Sequence, residues 1–287
     1  MTDRNVARIC AGIPAINSTL LWRIDFLVGD SVVLLELPKS GGTRSTLLMR
    51  DIEMDRARHT ARVDQVGCPA DFTPEGGLSG DRETATAQAT AEYLRREGIS
   101  EVIADRSLPI IFAEFLTQAG IHVTCDPDMW VAQRRQKTSE EVEHLRLAQQ
   151  VTEQAIQFAC EMIGGATARS GGVPYQNDEP LTSERVRTAV DIFLLKRGFT
   201  NPTSIIAGGP TGADCHSCGS GELLTGVPVI VDIFPRSRSS LYCGDCTRTV
   251  VHGDIPDEIK AMHSTVRKAK AAGIKATAAG VTGEDVH

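Results

Sequence analysis

Long apolar runs and an excess of basic charge are both missing from this 287-residue sequence, and each lack removes a class of protein. No apolar run approaches the roughly 18 residues that span a bilayer, and the stretch from Met1 to Ala11 lacks the apolar core of a signal peptide. A cytoplasmic protein with no membrane partner is expected. The 30 Lys+Arg are outnumbered by 37 Asp+Glu, a net charge of −7, whereas a general nucleic-acid binder carries a basic excess or stripe. The one dense basic spot, Arg134, Arg135 and Lys137, is too short to change that. There is no internal repeat and no low-complexity tract.

What remains has the composition of an ordinary globular chain, 41% hydrophobic and 23% charged, with a mean hydropathy of −0.12. At about 100 to 200 residues per domain the length predicts two domains. Without secretory features, the 8 cysteines are expected to stay reduced. Their spacing still matters, because Cys215 and Cys218 form one CxxC pair, and Cys243 and Cys246 another.

Ser31 to Leu37 and Ser45 to Met49 read as strands around a loop from Pro38 to Thr43. From Glu83 to Asp126 two helix-like segments alternate with β-rich runs at Glu101–Ala104 and Ile121–Thr124, and Gly98 and Gly120 sit where left-handed caps are wanted. Residues 1–132 are therefore expected to form a small α/β domain. Asp126, Pro127 and Asp128 start a link, and Thr138-Ser139-Glu140-Glu141 carries the capping-box pattern of a helix start. Val142, Leu145, Ala148, Thr152, Ala155, Ile156, Ala159, Met162 and Ile163 keep helical spacing up to Gly164 and Gly165. Residues 166–180 read as a loop, and a second amphipathic helix as running from Ser183 to Lys196. Val227–Phe234 and Leu241–Val251 read as an antiparallel hairpin, and Pro256 opens another helix with Ile259, Met262, Val266 and Ala269 on one face. Thr282-Gly283-Glu284-Asp285 then resembles a helix start, so a truncated or interrupted second domain, residues 133–287, is expected.

Asp232 lies in an otherwise apolar strand, and Asp245 follows on the return strand. A buried carboxylate is costly unless paired or bound to a cation. A turn centred near residues 238 and 239 would set the two opposite each other, with side chains about 5 Å apart. Divalent cations would remove the repulsion of two such anions. The alternative pairs one Asp with Arg248 and leaves the other as an ordinary turn residue.

The stretch Val231-Asp232-Ile233, then Tyr242, then Asp245-x-Thr247-Arg248-Thr249 and Gly253 resembles the first two metal-ligand motifs of the pita-bread metallopeptidases. That family includes methionine aminopeptidase, Xaa-Pro aminopeptidase, prolidase and the metal-free creatinase. Ala207-Gly208 and His216 resemble its glycine turn and active-site histidine, and Lys137-Thr138-x-Glu140-Glu141 with Leu145-Arg146-x-Ala148 resembles the start of its catalytic domain. The resemblance implies an α/β creatinase-like domain followed by an incomplete α+β pita-bread domain, in the Xaa-Pro aminopeptidase, prolidase and creatinase branch. It implies a metal-dependent aminopeptidase or dipeptidase acting on short peptides, of Xaa-Pro type, with a metal-bound water as nucleophile and a homodimer as assembly. Asp232 would hold one of two divalent ions (Mn, Co, Zn or Fe) and Asp245 would bridge them. His216 would hydrogen-bond the substrate or tetrahedral intermediate, and Thr247 would orient a carboxylate from behind.

Three departures accompany the resemblance. The two aspartates are slightly further apart than is usual, Cys215 stands where proline is common, and the family's other ligands, a His and two Glu, have no counterpart within these residues. A catalytically inactive homologue that only binds, or a metal-free creatinase-like hydrolase, is the alternative function, although a metal-free site has no need of the aspartate pair. Among rival sites, the two CxxC pairs have the composition of a four-thiolate zinc site, but Cys243 and Cys246 should point to opposite faces of a strand. Cys215 and His216, as sequence neighbours, are not expected to face each other as a nucleophile and its base. Gly208 to Gly212 lacks the ending of a phosphate cradle. His59, His122, His144, His252 and His263 occur singly, as surface or satisfied histidines do.

Overall fold

A computed structural model describes residues 5–287; residues 1–4, at the start of the first expected domain and of the stretch lacking a signal core, lie outside the described residues. The chain divides into two compact units, Met1–Lys137 and Thr138–His287.

The first unit is an α/β layer built on one six-stranded sheet. In chain order its elements are β1 (Val6–Gly12), α1 (Ser18–Ile24), β2 (Val32–Lys39), β3 (Gly42–Leu48), α2 (Asp51–Thr60), β4 (Gln65–Gly67), α3 (Arg82–Arg96), β5 (Glu101–Asp105), α4 (Ile110–Gln118), β6 (His122–Asp126) and α5 (Val131–Arg135). The strand order is β4-β3-β2-β1-β5-β6. β1 pairs antiparallel with β2 and parallel with β5, so the sheet changes character at its first strand. Because β-strand side chains alternate between faces, β2 feeds two cores. Val33, Leu35 and Leu37 pack with α3 and α4 residues such as Leu94, Phe112 and Leu116, while Val32 and Leu34 pack with Leu20, Ile24 and Trp130. Gly98 and Gly120 do adopt positive φ after α3 and α4. The stretch expected as a loop from Pro38 to Thr43 is instead mostly ladder: Pro38 pairs with Thr43 and Lys39 with Gly42, which leaves Ser40 and Gly41 as the turn. The positive φ of Gly41 makes so tight a reversal affordable.

The second unit is α+β. It runs α6 (Ser139–Gly164), β7 (Thr167–Ala168), β8 (Pro174–Gln176), β9 (Glu179–Pro180), α7 (Ser183–Leu195), β10 (Phe199–Thr200), β11 (Ile205–Gly208), β12 (Pro228–Ile233), β13 (Arg236–Ser237), β14 (Cys246–Val251), α8 (Asp257–Ala276) and α9 (Gly283–Val286). The capping box forms: Glu141 N donates to Thr138 Oγ1 at 3.2 Å and Thr138 N donates to Glu141 Oε2 at 2.7 Å. α6 and α7 bury Ala148, Ala155, Ile163, Val186, Val190 and Leu194 against Val229, Val231 and Ile233 of β12. Residues 166–180, expected as a loop, hold the small sheet β7-β8-β9. Its two- and three-residue strands are too short to show a period in sequence. α8 has the expected apolar spacing, yet none of its residues is buried, and Met262 and Val266 are each 63% exposed. No helix among the described residues is long and apolar enough to cross a membrane.

Candidate active site

The site is built on the three-stranded antiparallel sheet β11-β12-β14. Val229, Val231 and Ile233 turn toward the helices, so alternation puts Asp232 on the opposite, open face. Asp232 is consequently half-buried rather than enclosed as the apolar run suggested: the strand is covered on one side only. Its partner in the ladder is Thr247, whose Oγ1 donates to Asp232 Oδ1 at 2.7 Å.

The expected register is therefore corrected. Asp232 stands opposite Thr247, not Asp245, and Asp245 precedes β14 by one residue. The cause is the connection. Pro235 has no N–H for a ladder, Arg236 and Ser237 leave to pair with β10, and the chain returns through an Arg236–Cys243 bridge after Leu241 has taken a left-handed conformation. Asp245 still has the parity of Thr247, with Cys246 between them buried, and so shares the open face as a diagonal neighbour of Asp232. Arg248 donates to Cys246 Sγ and to the Thr247 carbonyl oxygen, not to either aspartate.

Asp245 is placed from behind by α6. Its N–H donates to Gln149 Oε1 at 3.2 Å, and Tyr242 OH donates to Glu141 Oε1 at 2.8 Å while its ring stacks on His144 at 5.4 Å. These contacts link residues about a hundred positions apart, and the helical period of α6 gave no sign of them. A cleft of about 550 Å³ opens beside Asp245, lined also by Thr200, Asn201, Pro202, Phe234 and Arg236. Sequence reasoning missed all five of these residues, since none belongs to a motif.

His216 lies on the segment after β11. A 3₁₀ turn, Gly209–Ala213, leads into a reversal in which Ser217 N donates to the Asp214 carbonyl oxygen and His216 N to Asp214 Oδ1 at 2.9 Å. The return passes so close to β11 that Gly219, at φ 74°, has no room for a side chain: a Cβ there would lie 2.0 Å from the Ile206 carbonyl oxygen. Contrary to expectation, Cys215 and His216 do face each other, with Sγ 3.5 Å from Nδ1. The reversal brings neighbouring side chains together where an extended strand would separate them. Asp214, Cys215 and His216, all exposed, form a partial cluster of potential metal ligands, one atom from each lying within 4.8 Å of the others.

The four CxxC thiols do not converge among the described residues, and all 8 cysteines are free. Cys243 is exposed and Cys246 buried, as their odd separation requires. His252 is a satisfied structural histidine, its ring nitrogens 2.9 Å from Thr225 Oγ1 and 2.8 Å from the Ala166 carbonyl oxygen. Gly208–Gly212 is a strand end and a 3₁₀ turn.

The donor set around the two aspartates does not fit two metal ions by itself. No third His, Cys, Asp or Glu ligand atom joins Asp232 and Asp245 among the described residues, and each divalent ion of a hydrolytic pair needs several protein ligands.

The fold is similar to that of prolidase from Pyrococcus horikoshii (19% identity, TM-score 0.73, covering 98% of this chain and 71% of that one). It is also similar to X-Pro aminopeptidase from Thermotoga maritima (16%, TM-score 0.75, 98% and 72%) and to Xaa-Pro dipeptidase from Bacillus anthracis (19%, TM-score 0.75, 99% and 70%). No curated protein matches the chain. The model of metallopeptidase family M24 matches residues 143–287. Half of the sequence thus carries the family's pattern on the family's two-part architecture, and the chain belongs to metallopeptidase family M24, with a metal site that is incomplete among the described residues.

Proposed function

We propose that these 287 residues form a metallopeptidase scaffold that does not hydrolyse peptides by itself. The observation that carries this reading is the ligand shortage: Asp232 and Asp245 share an open face, and no third ligand atom joins them among the described residues. Residues 1–132 are read as the creatinase-like α/β domain and residues 133–287 as the first part of the catalytic domain.

A second reading is favoured by the retention of both aspartates, for which a metal-free site has no use. With the remaining ligands supplied, Asp232 and Asp245 would help to hold divalent ions able to activate a water, with Thr247 fixing the Asp232 carboxylate. A short peptide would occupy the cleft beside Asp245, with His216 hydrogen-bonding its reacting carbonyl. Xaa-Pro substrates are favoured because the similar structures that match 98% of this chain include a prolidase and an X-Pro aminopeptidase, of which it spans 71% and 72%.

The test incubates the 287-residue chain with Mn²⁺ or Co²⁺ and an Xaa-Pro dipeptide and measures free proline. No release above buffer is the expected result. Metal-dependent release that disappears in Asp232→Asn and Asp245→Asn would replace the inactive reading with the aminopeptidase or dipeptidase one. Release that persists in chelator would instead favour a metal-free hydrolase.

A further inference from the structure

We propose that Asp214, Cys215 and His216 form a separate thiolate–imidazole–carboxylate site for a single zinc-class ion. The site is distinct in chemistry from the all-oxygen pair Asp232 and Asp245, and the proposal does not depend on the functional reading above.

The argument starts from the backbone. Consecutive side chains on extended chain diverge, but here the reversal held by Ser217 N on the Asp214 carbonyl and by His216 N on Asp214 Oδ1 turns three of them to one side. Zinc bonds of about 2.0 to 2.3 Å place tetrahedral ligand atoms roughly 3.3 to 3.7 Å apart. Cys215 Sγ and His216 Nδ1 already stand at 3.5 Å, inside that range. The carboxylate oxygen of Asp214 lies within 4.8 Å of both and needs a movement of at most about 1.5 Å, which an exposed side chain can make by rotation. The backbone is held from the far side: Gly219 abuts the Ile206 carbonyl, and Arg187 hydrogen-bonds the carbonyl oxygens of Cys218 and Gly219. The reversal is therefore anchored to β11 and α7 rather than hanging free.

Ligand softness then decides which ion. Thiolate and imidazole favour Zn²⁺ over Mg²⁺, Ca²⁺ or Mn²⁺, whereas carboxylates alone favour the harder ions. Three protein ligands leave a fourth position open to water. All three side chains are exposed, so an ion reaches them without any opening of the structure. Binding replaces the Cys215 S–H bond with an S–metal bond and releases that proton to solvent. It also occupies Nδ1 of His216 and leaves Nε2 free.

The experiment titrates the full 287-residue chain, kept reduced with a phosphine, with Co²⁺ alone as a spectroscopic stand-in for Zn²⁺. Expected are a near-ultraviolet thiolate-to-cobalt charge-transfer band saturating at one ion per chain, its loss on adding Zn²⁺, and its absence in Cys215→Ser. Cys218→Ser and the double variant C243S/C246S should keep the band. His216→Ala and Asp214→Asn should weaken binding roughly tenfold or more, at least as much as loss of an outer-sphere partner does. The proposal is overturned if wild type shows no thiolate band, if the band survives in Cys215→Ser, or if Cys218→Ser abolishes it, which would assign the ion to the CxxC pair. Circular dichroism checks that each variant is folded, and the His216→Ala and Asp214→Asn titrations carry the test independently of Cys215→Ser.

Discussion

At the scale of single residues, a tight steric constraint lies directly beside Asp245. Gly244 directly precedes Asp245 and is buried against α6; a Cβ there would fall 2.1 Å from Thr152 Oγ1 and 2.6 Å from the Ala148 carbonyl oxygen. The second of these atoms is helix backbone and cannot move aside. Thr152 Oγ1 is itself committed to Ala148 O at 2.8 Å. Gly244→Ala should therefore cost about 1 to 3 kcal/mol, the range for overpacking a core, read as a lower denaturant midpoint for the second unit. A midpoint within error of wild type would mean that the β13–β14 connection stands off from α6. The residue matters beyond stability, because the same close approach lets Gln149 reach the Asp245 N–H.

At the scale of elements, α3 carries its own electrostatic clamp. Arg95 and Arg96, three and four positions after Glu92, both hydrogen-bond its carboxylate and hold its pKa down to about 2, against an ordinary 4.5. A carboxylate whose folded pKa is depressed contributes its stability above about pH 4.5 and loses it as pH falls toward 2. Glu92→Gln should thus lower stability at neutral pH and flatten the acid limb of the stability curve between pH 4.5 and 2, as measured by denaturant melts across that window. An unchanged acid limb would show that the clamp does not outlast solvent screening. α3 and α6 also mark how far the sequence could be read. The N-cap and apolar stripe of α6 were legible because Thr138 does its capping within three residues and burial repeats at the helical period, whereas α3 was legible only as a helix-like segment closed by Gly98, its Asp81 cap going unread. β1, α1 and α2 escaped notice because their burial depends on distant strands, and β7, β8 and β9 are too short for any period. The hairpin was legible as two strands, but its register was not. Pro235 and the departure of Arg236–Ser237 to β10 shifted the pairing so that Thr247, rather than Asp245, faces Asp232. The meeting of Cys215 with His216 was hidden for a related reason: it depends on a reversal fixed by Asp214, which sequence spacing does not encode.

At the scale of the whole molecule, an apolar stripe along α8 is left in solvent, with Met262, Val266 and Ile274 exposed and Ile255 exposed just ahead of the helix. Stripes of this kind drive association when nothing covers them. Light scattering of the 287-residue chain should rise with concentration and salt, and Met262→Lys with Val266→Lys should suppress the rise; scattering independent of both variables would count against it. The six-stranded sheet of the first unit carries a different consequence. Its central strand β1 is made of the first residues described, yet Val6 pairs with Glu101 in β5, nearly a hundred positions away. During synthesis β1 and β2 can meet early, but β1 must wait with one edge bare until β5 has left the ribosome. Contacts between such distant segments are slow to form because loop closure precedes any reward. The first unit is thus set to complete its sheet late, and for that interval its most apolar strands depend on whatever protects a nascent chain.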